Sequence, residues 1–562
     1  VLAILTLFFV LVPLGARADE GDAIPRHAEW TDSDSGVAFG RFFYFEPHGS
    51  LRFRGDLFWN ADLDAGGYAG ILPPLLENSA NNGFEGGHKG NDLIGSANIR
   101  FRFAPTMRIG ERFQVKTIVD VLDNLVLGST PSGGYGPNMG LWSSVQDGQA
   151  PPDSDMNSLR DAIRVKALWV DMHVFDAITI RVGRIPDEWG LGILRNGGLD
   201  IDDDYGTSVD RVEFMGSYAG FHFGFTWDMF FDALTSETQA QPYGQPYELG
   251  EADDIYQWIV YVEQRPRRPE EIEERERLLH QERVPVFDWG FMSAFRKQWS
   301  SGERQDTSPG DETFCAENPY DCMRLADRDA FLWTPDAWGR MLWSPKAGHM
   351  LRLELELAMV YGNISSTEFL RTTDTSKDVL QGGGAFESEY QIDRTSFGLD
   401  FGFATGDDTD GLFGILDGSE VVDTSEPSAA SFQVNNRMLT NFKMNRAFRV
   451  DHMLYREVIG AVTNSFYFRP WVQHVFYDKG RHRLGARLDL LYARAFDSDG
   501  TPGRAHNLAF ESELTGFYKL GKSLDARLIF SALVPFDALN DSFLGLNAKP
   551  AITFQGNVTW SF

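Results

Sequence analysis

The thirteen residues from Pro550 to Phe562 alternate in polarity with almost no exception. Ile552, Phe554, Gly556, Val558, Trp560 and Phe562 share one parity, and Thr553, Gln555, Asn557, Thr559 and Ser561 the other. Successive side chains of a β-strand point to opposite faces, so this stretch offers one apolar and one polar surface, as a wall between lipid and water requires. An ordinary edge strand that happens to stop on an aromatic would look the same in isolation. The opposite end of the chain argues against that reading.

Val1 to Leu14 is an apolar run followed by Gly15-Ala16-Arg17-Ala18 and then Asp19-Glu20, the pattern of a secretory h-region with an Ala-x-Ala cleavage site. This predicts a signal peptide over 1–18, a periplasmic N-terminal segment over 19–48 and a barrel over 49–562. The run lacks an initiator Met and a basic n-region, so the natural start is expected upstream. Elsewhere there is no uninterrupted apolar stretch of the roughly 20 residues that a membrane helix needs. An exported chain of this kind is either soluble or a transmembrane β-barrel. The terminal aromatic residues, Trp560 and Phe562, resemble the signal by which bacterial outer-membrane barrels are recognised for insertion, which implies barrel assembly machinery as a partner.

Composition sides with the barrel. A soluble chain of 562 residues is expected to divide into several domains, yet no linker-like break separates two patterns. With 44 Phe, 17 Tyr and 14 Trp the chain has the aromatics that interfacial girdles use. A net charge of −30 argues against nucleic acid or anionic lipid as the main partner. Acidic outer loops would instead meet divalent cations at an outer-membrane lipid and lipopolysaccharide surface.

Alternating segments recur at 51–59, 93–104, 112–122, 162–174, 177–185, 209–217, 220–230, 254–264, 286–298, 327–333, 349–361, 384–392, 395–405, 465–477, 482–496, 506–518, 523–534 and 549–562. They predict an all-β, antiparallel transmembrane barrel of about eighteen strands, with sixteen as the alternative. Short connections such as Tyr477–Arg481 and Tyr518–Lys522 alternate with long ones, as periplasmic turns and outer loops do when both termini lie inside. Two connections break the rhythm. In 265–284, Pro269, a run of Glu and a closing Arg275, Arg277 and His280 predict a short helix at the barrel base, either a periplasmic lid or docking element or a solvated connector. The stretch 406–464 is too long for a loop and holds either short strands or a plug.

Several local motifs offer chemistry. Cys315 and Cys322 are the only cysteines, and in an oxidising compartment a local disulfide is the first reading; no further Cys or His lies nearby to complete a zinc set. Asp200, Asp202 and Asp204 have the opening spacing of a calcium loop, but Tyr205 and Arg211 stand where Gly and Glu are needed. No cofactor or metal is therefore expected, beyond calcium as a loop-bound alternative. The chain lacks the His-Glu-x-x-His, Gly-x-Ser-x-Gly and P-loop motifs. A Ser–His pair scattered over strands would leave no spacing signal, and His173, His222, His474, His482 and His506 lie in or beside strands; even so, the chain reads as a non-enzyme.

Taking the apolar parity as lipid-facing puts Arg52, Arg54, Arg100, Arg102, Lys116, Arg164, Lys166 and Arg181 inside from the first strands. Later strands put Glu354, Glu356, Glu387, Glu389, Glu511 and Glu513 inside, with Asp393 and a few arginines. Charged walls of opposite sign orient polar solutes, and about eighteen strands leave an aqueous lumen. These residues are accordingly expected to line a pore for polar solutes, anions among them. The alternatives are a non-conducting surface barrel whose loops bind a partner and, behind it, an outer-membrane enzyme.

The most distinctive internal text runs from Arg181-Val-Gly-Arg-Ile-Pro-Asp-Glu-Trp-Gly through Gly198 to Asp210-Arg-Val-Glu-Phe214. Its glycine spacing and charge predict a constriction loop over 186–208 that carries Trp189, Arg195, Asp202 and Asp204. Here the chain resembles a poorly characterised, porin-like family of bacterial outer-membrane barrels. More distantly, the Val-Gly-Arg strand end and Trp-Gly loop look like the alginate-export type of eighteen-stranded channel. That likeness implies a passive conduit for an anionic polymer or polysaccharide, or for a small polar solute.

Overall fold

The computed structural model describes residues 37–39, 42–61, 63–64, 93–110, 112–127, 163–175, 178–230, 254–267, 269–304, 323–365, 376–407, 438–542 and 545–562. The signal-peptide reading and the Cys315–Cys322 reading lie outside the described residues. A small hairpin of β1 (Val37–Phe39) and β2 (Phe43–Glu46) opens the chain, and β3 (Gly49–Trp59), β4 (Leu93–Phe103), β5 (Thr106–Ile109) and β6 (Phe113–Val126) follow. Then come β7 (Ile163–Phe175), β8 (Ile178–Pro186), β9 (Ser208–Tyr218), β10 (Phe221–Phe230) and β11 (Ile255–Gln264). A helix, α1 (Pro269–Glu276), stands before β12 (Val286–Arg304), β13 (Met323–Trp343), β14 (His349–Ile364), β15 (Lys377–Ile392), β16 (Thr395–Ala404) and the two-residue β17 (Met438–Leu439). The chain ends with β18 (Ser465–Lys479), β19 (His482–Ala495), β20 (Asn507–Leu520), β21 (Leu524–Pro535) and β22 (Ala551–Ser561).

Eighteen of these strands pair antiparallel, each with its neighbour in sequence, and β22 pairs with β3 to close the sheet. Each expected alternating segment falls on one barrel strand. Between β4 and β6, β5 extends the wall by pairing with β2 and β6. At the closure, Gly49 and Phe562 exchange backbone hydrogen bonds of 3.1 and 3.0 Å. The Phe562 ring stacks on Phe101, and a Cβ at position 49 would sit 2.5 Å from that ring. Glycine is required there by space.

Burial is inverted relative to a soluble protein. Phe53 is 46% exposed while Arg52 and Arg54, on either side of it, are 0% and 7% exposed. The same alternation gives outward Leu355 and Leu357 with buried Glu354 and Glu356 on β14. Hydrocarbon around the barrel covers the first set, and backbone groups are satisfied within the closed ladder, as a membrane demands. On β7 the alternation slips twice: against β6, Ile118 faces Ala167 while Val119 faces Val165, so Lys166 is an extra, bulged residue, and against β8 Val174 is bulged between His173 and Phe175. The start of β3, the C-terminal Phe562 and the tight turns lie at one end, as does α1, which a π-helical turn over Arg277–Gln281 extends.

Candidate functional site

The long connections after β8 and β16 turn inward. Counting round the ring, β3 is first, and β13 and β14 are tenth and eleventh of eighteen, so they stand on opposite sides. The 187–207 segment touches both. Near its start, the Trp189 indole N–H donates to Asp336 of β13 at 3.0 Å, and the Leu191 and Gly192 N–H groups donate to Glu356 of β14, the second at 3.0 Å. Near its end, Asp202 and Asp204 reach Arg52 and Arg54 of β3. The segment therefore crosses the lumen.

Local rules hold the crossing loop in shape. Arg195 donates to both carboxylate oxygens of Asp187 at 3.0 and 2.9 Å, and Arg211 reaches Asp187 at 2.8 Å while also binding Asp228. Burial pushes Asp187 up, but Arg195 and Arg211 outweigh it and hold its carboxyl below the usual range. The close approach of Gly198 to the Tyr205–Gly206 backbone, with a φ of +65° at Gly198, ties the base of the tip and tolerates no side chain.

The second insertion is 438–464. Phe442, Met444, Phe448, Val450, Met453, Leu454, Val458, Ile459 and Val462 are buried in one cluster with wall residues Tyr467, Leu491, Leu508 and Leu533. A π-helical turn over Leu454–Val458 is bound at its start by Glu511 of β20, which accepts the N–H groups of His452, Met453 and Leu454 at 3.3, 3.0 and 2.9 Å and the Ser531 hydroxyl at 2.6 Å. Asp451 accepts the Tyr455 and Arg456 N–H groups. Of the two readings of 406–464, the described part is an inserted plug with one short strand.

The two insertions meet at an ion cluster. Asp202 lies 3.6 Å from Arg52, 3.2 Å from Arg54 and 3.4 Å from Arg456; it also pairs with Arg449 and accepts from Asn557 at 2.8 Å. Asp204 lies 2.8 Å from both Arg52 and Arg54, 3.3 Å from Arg456 and 3.6 Å from Arg449. Burial pushes both carboxyls up, yet the surrounding guanidinium groups prevail, and Asp202 and Asp204 stay below the usual carboxylate range. Asp203 between them is raised by burial, with Asp202 adding to the rise, against Arg449, the donating Asp200 N–H and Arg100. Burial and then Arg456 keep His452 neutral, well below its ordinary value. Arg52 Nε and Nη1 and Arg54 Nε are buried and make no hydrogen bond, with Asp202 at 3.6 Å from Arg52 Nη1 and Asp56 at 3.4 Å from Arg54 Nε.

The other inward charges take more local partners. Arg100 donates to the Ile201 and Asp203 carbonyls, and Arg102 to the Gly198 carbonyl and both oxygens of Asp120. Lys116 and Arg181 share Asp171, while Arg164 and Lys166 share Asp123. Arg352 sits at 2.7, 3.3 and 3.9 Å from Glu354, Glu387 and Glu389, and Glu513 accepts from Thr515. Trp560 and Phe562 face outward, both more than half exposed. The Asp200–Asp204 run, weighed above as a calcium loop, turns its second and third carboxylates into guanidinium partners. Sequence reading named neither Arg449 nor Arg456, and placed Asn557 on the polar face of its strand without its partner, for their neighbours in the cluster lie hundreds of residues away.

Strand histidines pair with hydroxyls near the short-turn end: His173 with Thr179, His222 with Ser217 at 2.7 Å, His474 with Thr395 and His482 with Tyr518. His222 is fixed on its other side by the Arg265 carbonyl at 3.0 Å. That carbonyl accepts, so Nε2 carries the proton and Nδ1 accepts from Ser217.

No family model matches this chain, and no curated protein does. Among solved structures it is similar to OccK11 (OpdR) of Pseudomonas aeruginosa, at 8% identity and a TM-score of 0.44 over 92% of this chain and 96% of that one. It is likewise similar to OpdK of Pseudomonas aeruginosa, solved with vanillate, at 11% and 0.43 over 92% and 98%, and to OccAB3 of Acinetobacter baumannii, at 8% and 0.45 over 92% and 99%. Likeness at this level assigns no solute, and these comparisons do not show the alginate-export resemblance.

Proposed function

We propose that this barrel is a bacterial outer-membrane channel for small polar anions, narrowed by its two insertions. The supporting observation is donor capacity at the crossing point that no hydrogen bond fills. Four guanidinium groups, from Arg52, Arg54, Arg449 and Arg456, converge on Asp202 and Asp204, with Asp56, Asp203 and Glu457 at their edges, and three buried N–H groups of Arg52 and Arg54 make no hydrogen bond. Fixed donors in a narrow passage stand in for the hydration shell of an anion. An extended polysaccharide fits less well, since the 187–207 segment runs from wall to wall.

In planar bilayers, R52Q/R54Q should shift the reversal potential towards cations, and deletion of 190–204 should raise conductance. An unchanged reversal potential in the first, or unchanged conductance in a folded form of the second, would overturn the reading. The crossed interior also favours a second reading, a non-conducting surface barrel whose loops bind a partner. Silence in both the wild type and the deletion would select it. An enzyme would have to rest on Ser217 and His222, and the recurrence of hydroxyl–imidazole pairs with Thr and Tyr at other turns makes that pair part of the rim.

A further inference from the structure

The outer face of β12 to β15 has a notch. Outward side chains form rows across the strands: Trp289, Gly339, Leu355 and Phe386 in one, and Phe287, Met341, Leu353 and Ser388 in the next towards the short-turn end. Gly339 has no side chain, and a Cβ there would meet nothing closer than 3.9 Å. The result is an open cleft of about 340 Å³ walled by Phe287, Trp289, Met341, Leu353, Leu355 and Phe386. The next row holds Trp343, Leu351, Tyr390 and Phe397. Here the Trp343 N–H donates to the Arg283 carbonyl at 3.0 Å, and Tyr390 pairs with His349 at 2.8 Å. Aromatic side chains with one polar end mark the headgroup level.

Just beyond that row the charge reverses against the chain as a whole. The four short turns joining β13 to β14, β15 to β16, β18 to β19 and β20 to β21 are successive around the ring. Each carries an exposed cation, in order Lys346, Arg394, Lys479 and Lys522. The acids nearby are Asp393, Asp478, which pairs with Arg483, and Asp525, which pairs with Arg527 and Lys519. A net charge of −30 speaks against anionic lipid as the main partner, but that charge is unevenly spread. From Gly339 to the turn at 344 is five residues, about 17 Å along a strand and so roughly 13 Å in depth at a strand tilt of about 40°, against about 15 Å for half of a hydrocarbon core.

We propose that this sector is a binding site for one anionic phospholipid of the leaflet at the short-turn end. An acyl chain fills the notch over Gly339, and Lys346 and Arg394 hold the phosphate. The site rests on the membrane-spanning reading of the barrel and not on what passes through it, so lipid retention and channel recordings fail separately. The test is the full chain in nanodiscs of phosphatidylethanolamine doped with phosphatidylglycerol, with retained lipids counted by native mass spectrometry after detergent release. Phosphatidylglycerol should be retained several-fold above its share. K346E/R394E should abolish that preference without lowering total lipid, and G339W should lower retention of both lipids; K346Q/R394Q serves if the double reversal does not fold. Retention at the bulk share, or an unchanged preference in the rim variants, overturns the proposal. So does a dimer that G339W splits, because the notch then belongs to a second copy of the chain.

Discussion

Two sets of wall strands hold the insertions by different chemistry. On β3 and β4 the wall offers guanidinium groups, and it takes hold of carboxylates and tip carbonyls over 198–204. On β14 and β20 the wall offers carboxylates, and Glu356 and Glu511 take backbone N–H groups at 191–192 and 452–454. A side-chain ion pair depends on which residue sits at the tip. A carboxylate on backbone N–H groups depends only on the path of the chain, and it serves groups that would otherwise stay unpaired at a helical start. The basic side therefore sets the electrical character of the passage, and the acidic side sets its shape.

If that division is right, breaking the acidic side should cost most. E511L leaves three buried N–H groups and Ser531 without their acceptor, at about 1–3 kcal/mol for each unsatisfied group. We expect the plug to detach, read as protease cleavage within 438–464 and a several-fold rise in conductance. On the basic side, D202N/D204N should cost about 2–4 kcal/mol of unfolding free energy by leaving buried cations unpaired. It should also move the reversal potential further towards anions, while the barrel still inserts and runs as a folded species. Equal loss of folding in both variants would erase the comparison.

A smaller effect is expected from pH. Burial raises Asp451 to about 7 against the N–H groups of Tyr455 and Arg456 and the charge of Arg469, with Glu513 adding to the rise. The docked plug thus binds a proton that the released segment gives up at lower pH. Its contribution is full below the ordinary carboxylate range and is lost as pH rises through about 7. Conductance should rise between pH 5 and 8, and D451N should flatten that profile. Smallest of all, R184Q removes an outward pair with Asp210 in which Arg184 is more than half exposed; thermal unfolding should shift by no more than about 1 kcal/mol.

Most of the wall was legible because lipid and water impose a period of two on each strand. The readings at 327–333 and 384–392 cover only part of β13 and β15, and for a common cause. β13 carries Pro335 and several Asp residues, and β15 carries Gly382-Gly383-Gly384, all of which read as loop. The second of these glycines is explained by the plug: a Cβ at Gly383 would fall 2.2 Å from the Phe442 ring. The inward charges could be named from parity, but their partners could not. Asp202 and Arg456 are 254 positions apart, and no spacing joins them. The apolar density of 442–462 was a usable sign of burial, although it has no period that says against what.

The Asp202 tip touches Arg54 on the first barrel strand and Asn557 on the last, the two strands whose pairing closes the sheet. A mid-chain loop thereby rivets the seam from inside. Order of assembly follows from this. The rivet has only half its holes until residue 557 arrives, so the loop can reach its final seat only as the cylinder shuts, and contacts of such long sequence separation form slowly. A barrel caught before closure would hold Arg52 and Arg54 without the far half of their socket, and a lumen still open to anything that carries negative charge.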